Sequence, residues 1–258
     1  MHGMLHVQQA GGDAYNMEPP FDDTCDSSQD PTAELLGWVG TVLAVFVFAA
    51  PLETMLKVCK AGTLGDFDSV PFMAMLVMAS FWCVYALPFV TPCRVQVLVC
   101  NAIGVTLSLA YIAIFLRLAD STRRRKIGAG CAISAALAVG VSVTALVVDA
   151  SLPHAASQIL GGACIAGAIA AFGAPLLIVG KVIQTRSVEY MPLGLTLAIT
   201  ANCFVWAIYG LLTADTFVLI CNGSGLLLGI VQLGVYVSVA CFCTPNEGEA
   251  APLYQKAP

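Results

Sequence analysis

The sequence is poor in charge and in residues suited to metal binding or acid–base chemistry. Only 10% of its 258 residues are Asp, Glu, Lys or Arg, whereas 59% are hydrophobic, so a soluble globular fold of this length would lack polar surface. The three histidines, His2, His6 and His154, form no cluster, and no residues show the spacing of metal ligands. We therefore expect an integral membrane protein that is not an enzyme, needs no metal or cofactor and binds no nucleic acid.

Residues 1–34 contain no Lys or Arg and carry seven acidic residues. Because this segment has neither a basic start nor an apolar core before Leu35, it does not have the features of a signal peptide. The first apolar stretch must then act as its own insertion signal. The composition of residues 1–34 predicts a disordered acidic tail on the outer side of the membrane.

Long apolar runs account for most of the remaining chain. Seven of them approach the roughly 20 residues that a membrane-spanning helix requires. An odd number of spans places the two termini on opposite sides. The seven runs are residues 35–58, 71–90, 95–119, 127–148, 159–182, 191–212 and 217–242.

The basic residues predict the orientation, because Lys and Arg are retained on the cytoplasmic side of a membrane. With the N-terminus outside, ten of the eleven Lys and Arg residues fall on the cytoplasmic side, and only Arg94 does not. We therefore predict an extracellular or lumenal N-terminus and a cytoplasmic C-terminus, with the plasma membrane as the expected location. Cys25 and Cys93 then share the outer side, where they could form a disulfide.

One pattern occurs twice in the chain. Residues 97–104 read VLVCNAIG and residues 218–225 read VLICNGSG. Upstream, FWCVYAL at 81–87 matches VWAIYGL at 205–211 in its Trp, Tyr and Leu positions. A duplicated apolar unit with a repeated central Asn is typical of transporters that bind their substrate between two repeats at mid-membrane.

These matches predict an all-α membrane fold of two parallel three-helix repeats, residues 35–119 and 158–243. Residues 120–157 contain a fourth helix that resembles neither repeat. Three spans invert the chain, so this linker helix is needed before the second repeat can start with the orientation of the first. The arrangement is 3+1+3, followed by a short cytoplasmic tail at 244–258.

Asn101 and Asn222 are the strongest candidates for a binding site. An amide buried in hydrocarbon without partners costs several kcal/mol, so each Asn must bond either a neighbouring helix or a ligand. Trp82 and Trp206 share the same symmetry and lie well inside their spans, whereas most membrane tryptophans are interfacial anchors. Two facing amides with two facing indoles would offer hydrogen-bonding groups and flat apolar faces together, which suits a sugar.

Four prolines also occur in equivalent pairs. Pro51 and Pro175 lie in the first span of each repeat, and Pro71 and Pro192 open the second. They are either ordinary helix starts and static kinks, or weak points at which helices bend to gate a pathway near the cytoplasmic end.

Glu53 is the only ionisable residue away from the ends of the spans. It either pairs with Lys57 one turn on, near the cytoplasmic edge, or takes part in proton coupling. Because no other ionisable residue lies deep in a span, we predict a uniporter driven by the substrate gradient.

Together with SVEYMPLGL at 187–195 and YIAIF at 111–115, these features resemble the SWEET sugar transporter family over residues 35–243. The resemblance implies facilitated, bidirectional diffusion of mono- or disaccharides by alternating access. It also implies a sugar site and a gating proline tetrad. The implied sugar site is Trp82, Asn101, Trp206 and Asn222, and the tetrad is Pro51, Pro71, Pro175 and Pro192.

The resemblance implies further roles at the pocket and at the outer gate. Tyr85 would belong to the outer gate, and Arg94 with Asp215 would form its charge latch. The positions that correspond to pocket-lining residues in relatives are Val47, Met78, Ala171 and Asn202. The bulk of Met78 and Asn202 favours a hexose over sucrose on steric grounds.

The chain departs from the family pattern in its first cytoplasmic loop, CKAGTLGDFDSVP, which is longer than usual. The main alternative is an amino-acid transporter of the related PQ-loop class. That class carries Pro-Gln in its repeats, whereas this chain has Pro51-Leu52 and Pro175-Leu176. The expected partners are a small sugar and membrane lipid, and family precedent leaves self-association open.

Overall fold

A computed structural model describes residues 30–242, which form nine α-helices and one 3₁₀ turn, with no β-strand in that range. The 3₁₀ turn is Val188–Tyr190. The predicted C-terminal tail and all but the last five residues of the predicted N-terminal tail lie outside the described residues. The helices are α1 Pro31–Ala49, α2 Leu52–Ala61, α3 Val70–Tyr85, α4 Val95–Leu118, α5 Ser121–Asp149, α6 Ala155–Ala171, α7 Gly173–Thr185, α8 Leu193–Leu212 and α9 Thr216–Phe242.

The helices make seven spans, as the sequence predicts. Six segments are long and apolar enough to cross a membrane, and α3 is a shorter apolar helix. Two of the six, Pro31–Ala61 and Ala155–Thr185, each join two helices end to end. The first and fifth predicted spans are therefore broken rather than continuous.

The two breaks do not fall at equivalent residues. The first lies at Ala50 and Pro51, because proline lacks the N–H that a continuous helix would use and its ring crowds the preceding turn. The second lies at Phe172, three residues before Pro175, which sits within the first turn of α7. Pro71 lies in the first turn of α3 and Pro192 caps α8, both normal positions for proline.

Helix α1 begins at Pro31, four residues before the predicted span. Asp30 is its N-cap, and its Oδ1 accepts a hydrogen bond from the Thr32 amide at 2.8 Å. The linker helix α5 also starts earlier than predicted, at Ser121. There Asp120 Oδ1 accepts from the Thr122 and Arg123 amides at 2.8 and 2.9 Å. Polar caps thus extend both helices beyond their apolar runs.

The two repeats pack side by side, with α1 against α8 and α3 against α6. Glycines allow the close approach. A Cβ on Gly40 of α1 would lie 2.8 Å from the Trp206 indole of α8. Gly37 and Gly161 each lie 14 residues before the proline of their span. A Cβ on Gly37 would lie 2.8 Å from Gln96 of α4. A Cβ on Gly161 would lie 2.3 Å from Phe217 of α9.

The Lys and Arg residues distinguish the two ends of the bundle. Consecutive spans are joined by short connections and run in alternating directions, so the α2–α3, α4–α5 and α7–α8 connections lie at one end. Nine of the ten Lys and Arg residues described by the structure lie there, and we call it the basic end. Arg94 lies at the opposite end.

Near the basic end, the first repeat has a filled core. Phe72 stacks against Tyr111 and Phe115, with ring centroids 5.0 and 5.6 Å away, and all three side chains are buried. The Tyr111 hydroxyl donates to the Phe48 carbonyl at 2.9 Å, which satisfies an acceptor near the helix break. This half of the first repeat is therefore well packed, and a side-chain hydrogen bond stabilises the helix break.

Candidate functional site

A central cavity of about 140 Å³ lies between the two repeats. Helices α1, α3 and α4 supply one side of its wall, and α8 and α9 supply the other. The structure thus brings together Trp82, Asn101, Trp206 and Asn222, which the sequence placed at equivalent positions. The lining residues are Ala44, Phe48, Trp82, Val97, Cys100, Asn101, Asn202, Trp206, Val218 and Asn222.

The two repeated amides are held in the same way. Asn101 Nδ2 donates to the Val97 carbonyl at 2.8 Å, and Asn222 Nδ2 donates to the Val218 carbonyl at 2.9 Å. Each bond is to the carbonyl one turn back in the same helix, and it uses one of the two amide N–H groups. Within residues 30–242, the Oδ1 acceptor and the second N–H of each amide make no further hydrogen bond.

Asn202 adds a third amide to the cavity wall. Its Oδ1 is buried, and no group among the described residues donates a hydrogen bond to it. Buried polar atoms are nearly always hydrogen-bonded, so this acceptor in the cavity wall is open to a donor from water or from a ligand.

Each indole of the cavity packs edge-on against a tyrosine three residues later in its own helix. The Trp82 and Tyr85 ring centroids are 5.2 Å apart at 84°, and those of Trp206 and Tyr209 are 5.2 Å apart at 75°. Edge-to-face pairs of this kind are favourable and fix the ring orientation. The pseudo-symmetry of the sequence is therefore present in the geometry of both aromatic pairs.

A network of charged and polar groups closes the cavity at the end opposite the basic end. Arg94 Nε lies 3.1 Å from Asp215 Oδ2, and Tyr85 donates to Asp215 Oδ1 at 2.9 Å. Arg94 Nη2 also donates to the Thr213 carbonyl at 3.0 Å. Asp215 is only 5% exposed. The contact between Arg94 and Asp215 that the family resemblance implied is thus present in this structure.

A second cavity, which we call the inner cavity, lies between the central cavity and the basic end. It measures about 370 Å³, and its wall comes from the second repeat alone. Pro175, Pro192 and Ala171 line it, with Cys203 and Cys221 next to the central cavity. Pro51 and Pro71 do not line it, so two prolines of the tetrad border this cavity and two do not.

Three expected pocket residues lie elsewhere than in the central cavity. Val47 is half-buried on α1, whose neighbouring residues Ala44 and Phe48 line the cavity instead. Met78 packs against α6, where a Cβ on Gly167 would lie 2.2 Å from its sulfur. Ala171 lines the inner cavity.

The cavity residues that the sequence reasoning missed are small or apolar. Val97, Cys100 and Val218 lie within the duplicated segments. Val97 and Val218 each lie four residues before the Asn of their segment, a spacing that could have indicated them, whereas Cys100 is adjacent to Asn101. Ala44 and Phe48 are four residues apart on α1, but nothing in that uniformly apolar stretch distinguishes their face from the others.

Glu53 pairs with Lys57, as one of the two interpretations predicted. The ion pair measures 2.8 Å, and the two side chains are 80% and 73% exposed. An exposed carboxylate at the basic end is poorly placed to carry protons through the pathway. Cys93 is disulfide-bonded, and Cys25, which the sequence left open as a partner, lies outside the described residues.

Comparison with known proteins gives consistent matches. Residues 34–123 and 158–241 match a family model described as a sugar efflux transporter for intercellular exchange. The bidirectional sugar transporter SWEET5 of Arabidopsis thaliana is 35% identical over 209 residues, which cover 79% of this chain and 85% of that protein. SWEET4 of Oryza sativa subsp. indica is 34% identical over 81% of this chain and 80% of its own.

A solved structure of a eukaryotic SWEET transporter at 3.7 Å resolution matches with a TM-score of 0.76. The two chains are 32% identical, and the match covers 81% of this chain and 97% of the other. The likeness therefore extends over nearly the whole of that structure.

Proposed function

The chain belongs to the SWEET family of sugar transporters, and we propose that it binds its sugar in the central cavity. As a member, it is a transmembrane sugar transporter that mediates facilitated, bidirectional diffusion by alternating access. The PQ-loop alternative is not supported, because the relatives are named as sugar transporters. The observation that carries the site proposal is the unpaired Asn202 acceptor beside the two symmetric amides and indoles.

The division of roles follows from the chemistry of the wall. Trp82 and Trp206 offer apolar faces to the C–H surface of a sugar ring. Asn101, Asn202 and Asn222 offer acceptors to its hydroxyl groups. Tyr85, Arg94 and Asp215 close the outer end, and the four prolines let the helices bend at the basic end. This structure is then a state closed on the outside.

The size of the cavity favours a single sugar ring. About 140 Å³ is a small volume for two linked rings, and Asn202 occupies part of the wall. Met78 limits the space only indirectly, by packing α3 against α6. We therefore propose a hexose as the preferred substrate.

The charge distribution supports the orientation. Because Lys and Arg are retained in the cytoplasm, the basic end faces the cytoplasm and the Arg94 latch faces outward, with the plasma membrane as the proposed location. Exposed apolar side chains on the linker helix, such as Ile133 and Val147, face lipid. Self-association stays a prediction.

Uptake of labelled glucose, fructose and sucrose into proteoliposomes tests the proposal. Replacing Asn222 with Ala should reduce hexose uptake at least about tenfold, because a hydrogen-bonded amide is lost from the site. Ser238→Ala is the matched control, since Ser238 lies on the same helix and bonds only the Gly234 carbonyl. Full uptake by inserted Asn222→Ala protein would remove Asn222 from the site.

A further inference from the structure

A third cavity, which we call the loop cavity, lies at the basic end, away from the sugar pathway. It measures about 570 Å³ and is bounded by the α2–α3 loop and the start of α5. The loop contributes Asp66, Asp68 and Ser69, and α5 contributes Thr122 and Lys126. None of its lining residues borders the central or the inner cavity. Neither the sugar site nor either gate uses it.

The walls of the loop cavity are held together by side-chain bonds. Arg123 Nη1 donates to the Gly65 carbonyl at 2.8 Å, and its Nη2 donates to the Phe67 carbonyl. Asp120, also in the wall, caps α5, and the hydrogen bond from the Arg123 amide lowers the pKa of its carboxyl. Arg123 is thus occupied in holding the loop against α5, and the cavity between them has fixed sides.

Three polar groups of the wall have no partner among the described residues. The Ser69 side chain is 5% exposed, and its hydroxyl makes no hydrogen bond although it lines the cavity. Lys126 and Asp66, both exposed and of opposite charge, make no ion pair either. These groups face water in the cavity, and a ligand with complementary groups would replace that water.

The charges of the wall fit a ligand that carries both signs. Asp66 and Asp68 would attract a cation, and Lys126 with the Ser69 and Thr122 hydroxyls would bind an anion such as phosphate. A quaternary ammonium group is usually bound by aromatic faces, and no aromatic residue lines the cavity. A primary ammonium group, which donates three hydrogen bonds, matches the two carboxylates better.

The rest of the cavity wall is apolar, and the residues around it are of the kind found at a membrane surface. Met73, Ile127 and Gly130 line the cavity on the side of the helices. Val70, which also lines the cavity, is 60% exposed, and Phe67 of the same loop is 50% exposed. Exposed apolar side chains beside a polar loop are typical of the headgroup region of a bilayer, where a phospholipid supplies both charges and an apolar part.

We propose that the loop cavity binds the headgroup of phosphatidylethanolamine. The ammonium group bonds Asp66 and Asp68, and the phosphate bonds Lys126 with the Ser69 and Thr122 hydroxyls. The acyl chains leave the cavity along its apolar side. The bound lipid then fastens the long α2–α3 loop to the linker helix.

Lipid binding to the purified full chain tests this proposal. Native mass spectrometry and thermal unfolding would compare phosphatidylethanolamine, phosphatidylcholine and phosphatidylglycerol with identical acyl chains. We expect phosphatidylethanolamine to bind about tenfold more tightly than either of the others, because only it combines a phosphate with an ammonium group that donates hydrogen bonds. Equal binding of the three lipids, or tighter binding of phosphatidylglycerol, would overturn the proposal.

Three variants and a control distinguish lipid binding in the loop cavity from non-specific electrostatic attraction to the lipid. Lys126→Gln and Ser69→Ala should weaken phosphatidylethanolamine binding several-fold, and Asp66→Asn should reduce its advantage over phosphatidylglycerol. Arg125→Gln makes the same charge change one residue from Lys126 but outside the cavity wall. An equal loss in Arg125→Gln and Lys126→Gln would contradict the proposal, because it would indicate non-specific electrostatics.

The last comparison distinguishes a lipid from a soluble ligand of the same chemistry. Glycerophosphoethanolamine carries the headgroup without acyl chains, and it should compete only weakly for the site. If it displaced the lipid at equal concentration, the apolar part of the proposed site would be wrong. Because none of the variants touches the central cavity, sugar uptake in matched vesicles reports on the proposed function separately.

Discussion

Arg94 and Asp215 occupy equivalent positions of the two repeats but carry opposite charges. Each lies three residues before the valine of its duplicated segment, and each immediately precedes the first residue of its helix. Asp215 Oδ1 also accepts from the Val218 amide at 3.1 Å and so caps α9. Tyr85 bonds Asp215, whereas its counterpart Tyr209 is fully buried near Arg94, and its hydroxyl makes no hydrogen bond of ordinary geometry among the described residues.

This arrangement predicts that the two latch charges can be exchanged. Asp215→Arg alone places two cations together and should cost about 3 kcal/mol or more of stability, with a matching loss of uptake. The double exchange, Arg94→Asp with Asp215→Arg, restores the ion pair, and Tyr209 can then donate to the carboxylate at position 94. Thermal unfolding and uptake of both variants check this. A double variant as impaired as the single one would show that the latch is not symmetric.

Asn202 gives a prediction in which stability and binding change in opposite directions. Its unpaired Oδ1 costs about 1–3 kcal/mol in the sugar-free protein, so Asn202→Ala should not destabilise that state. The same variant removes an acceptor from the cavity and should weaken hexose binding about tenfold. Thermal unfolding with and without sugar measures both. A destabilised sugar-free protein with normal affinity would mean that Asn202 only supports the fold.

Among the structural elements, the α6–α9 contact depends on a single glycine. A Cβ on Gly161 would meet the base of the Phe217 ring at 2.3 Å, whereas one on the adjacent Gly162 would meet nothing within 4 Å. The two glycines thus sit on different faces of α6, and only one of them is needed for packing.

We therefore expect opposite effects from two neighbouring substitutions. Gly161→Ala should lower the thermal unfolding temperature, because overpacking a close contact costs about 1–3 kcal/mol. Gly162→Ala should be neutral or stabilising by up to about 1 kcal/mol, because alanine is the better helix former. Similar midpoints for the two purified variants would be evidence against the close α6–α9 contact.

The helix breaks show what the sequence could and could not predict at this scale. Pro51 marks the first break correctly, because proline cannot continue the hydrogen bonding of a helix. The second break lies at Phe172 rather than at Pro175, which the early turns of α7 accommodate. The choice between these residues depends on how the helix ends pack, and the local sequence does not contain that information.

At the scale of the whole molecule, the apolar runs predicted the seven spans, and the duplication predicted that Trp82, Asn101, Trp206 and Asn222 meet around the central cavity. The reason is that equivalent polar residues in two apolar helices are expected to face the space between the repeats rather than the lipid. The duplication did not predict that Ala44 and Phe48, rather than Val47, face the cavity. A span that is apolar on all sides carries no signal for its rotation about its own axis. The loop cavity also went unpredicted, because it forms only when the α2–α3 loop meets α5.

The central claim is that a sugar sits between Trp82 and Trp206, and tryptophan fluorescence tests it most directly. The chain has three tryptophans, and Trp38, which is 41% exposed, is the only one outside the cavity. A Trp38→Phe variant therefore reports from Trp82 and Trp206 alone. We predict a saturable change in its emission on addition of hexose, which Asn222→Ala abolishes. Saturable hexose uptake by the Trp38→Phe protein without any change in emission would contradict the account.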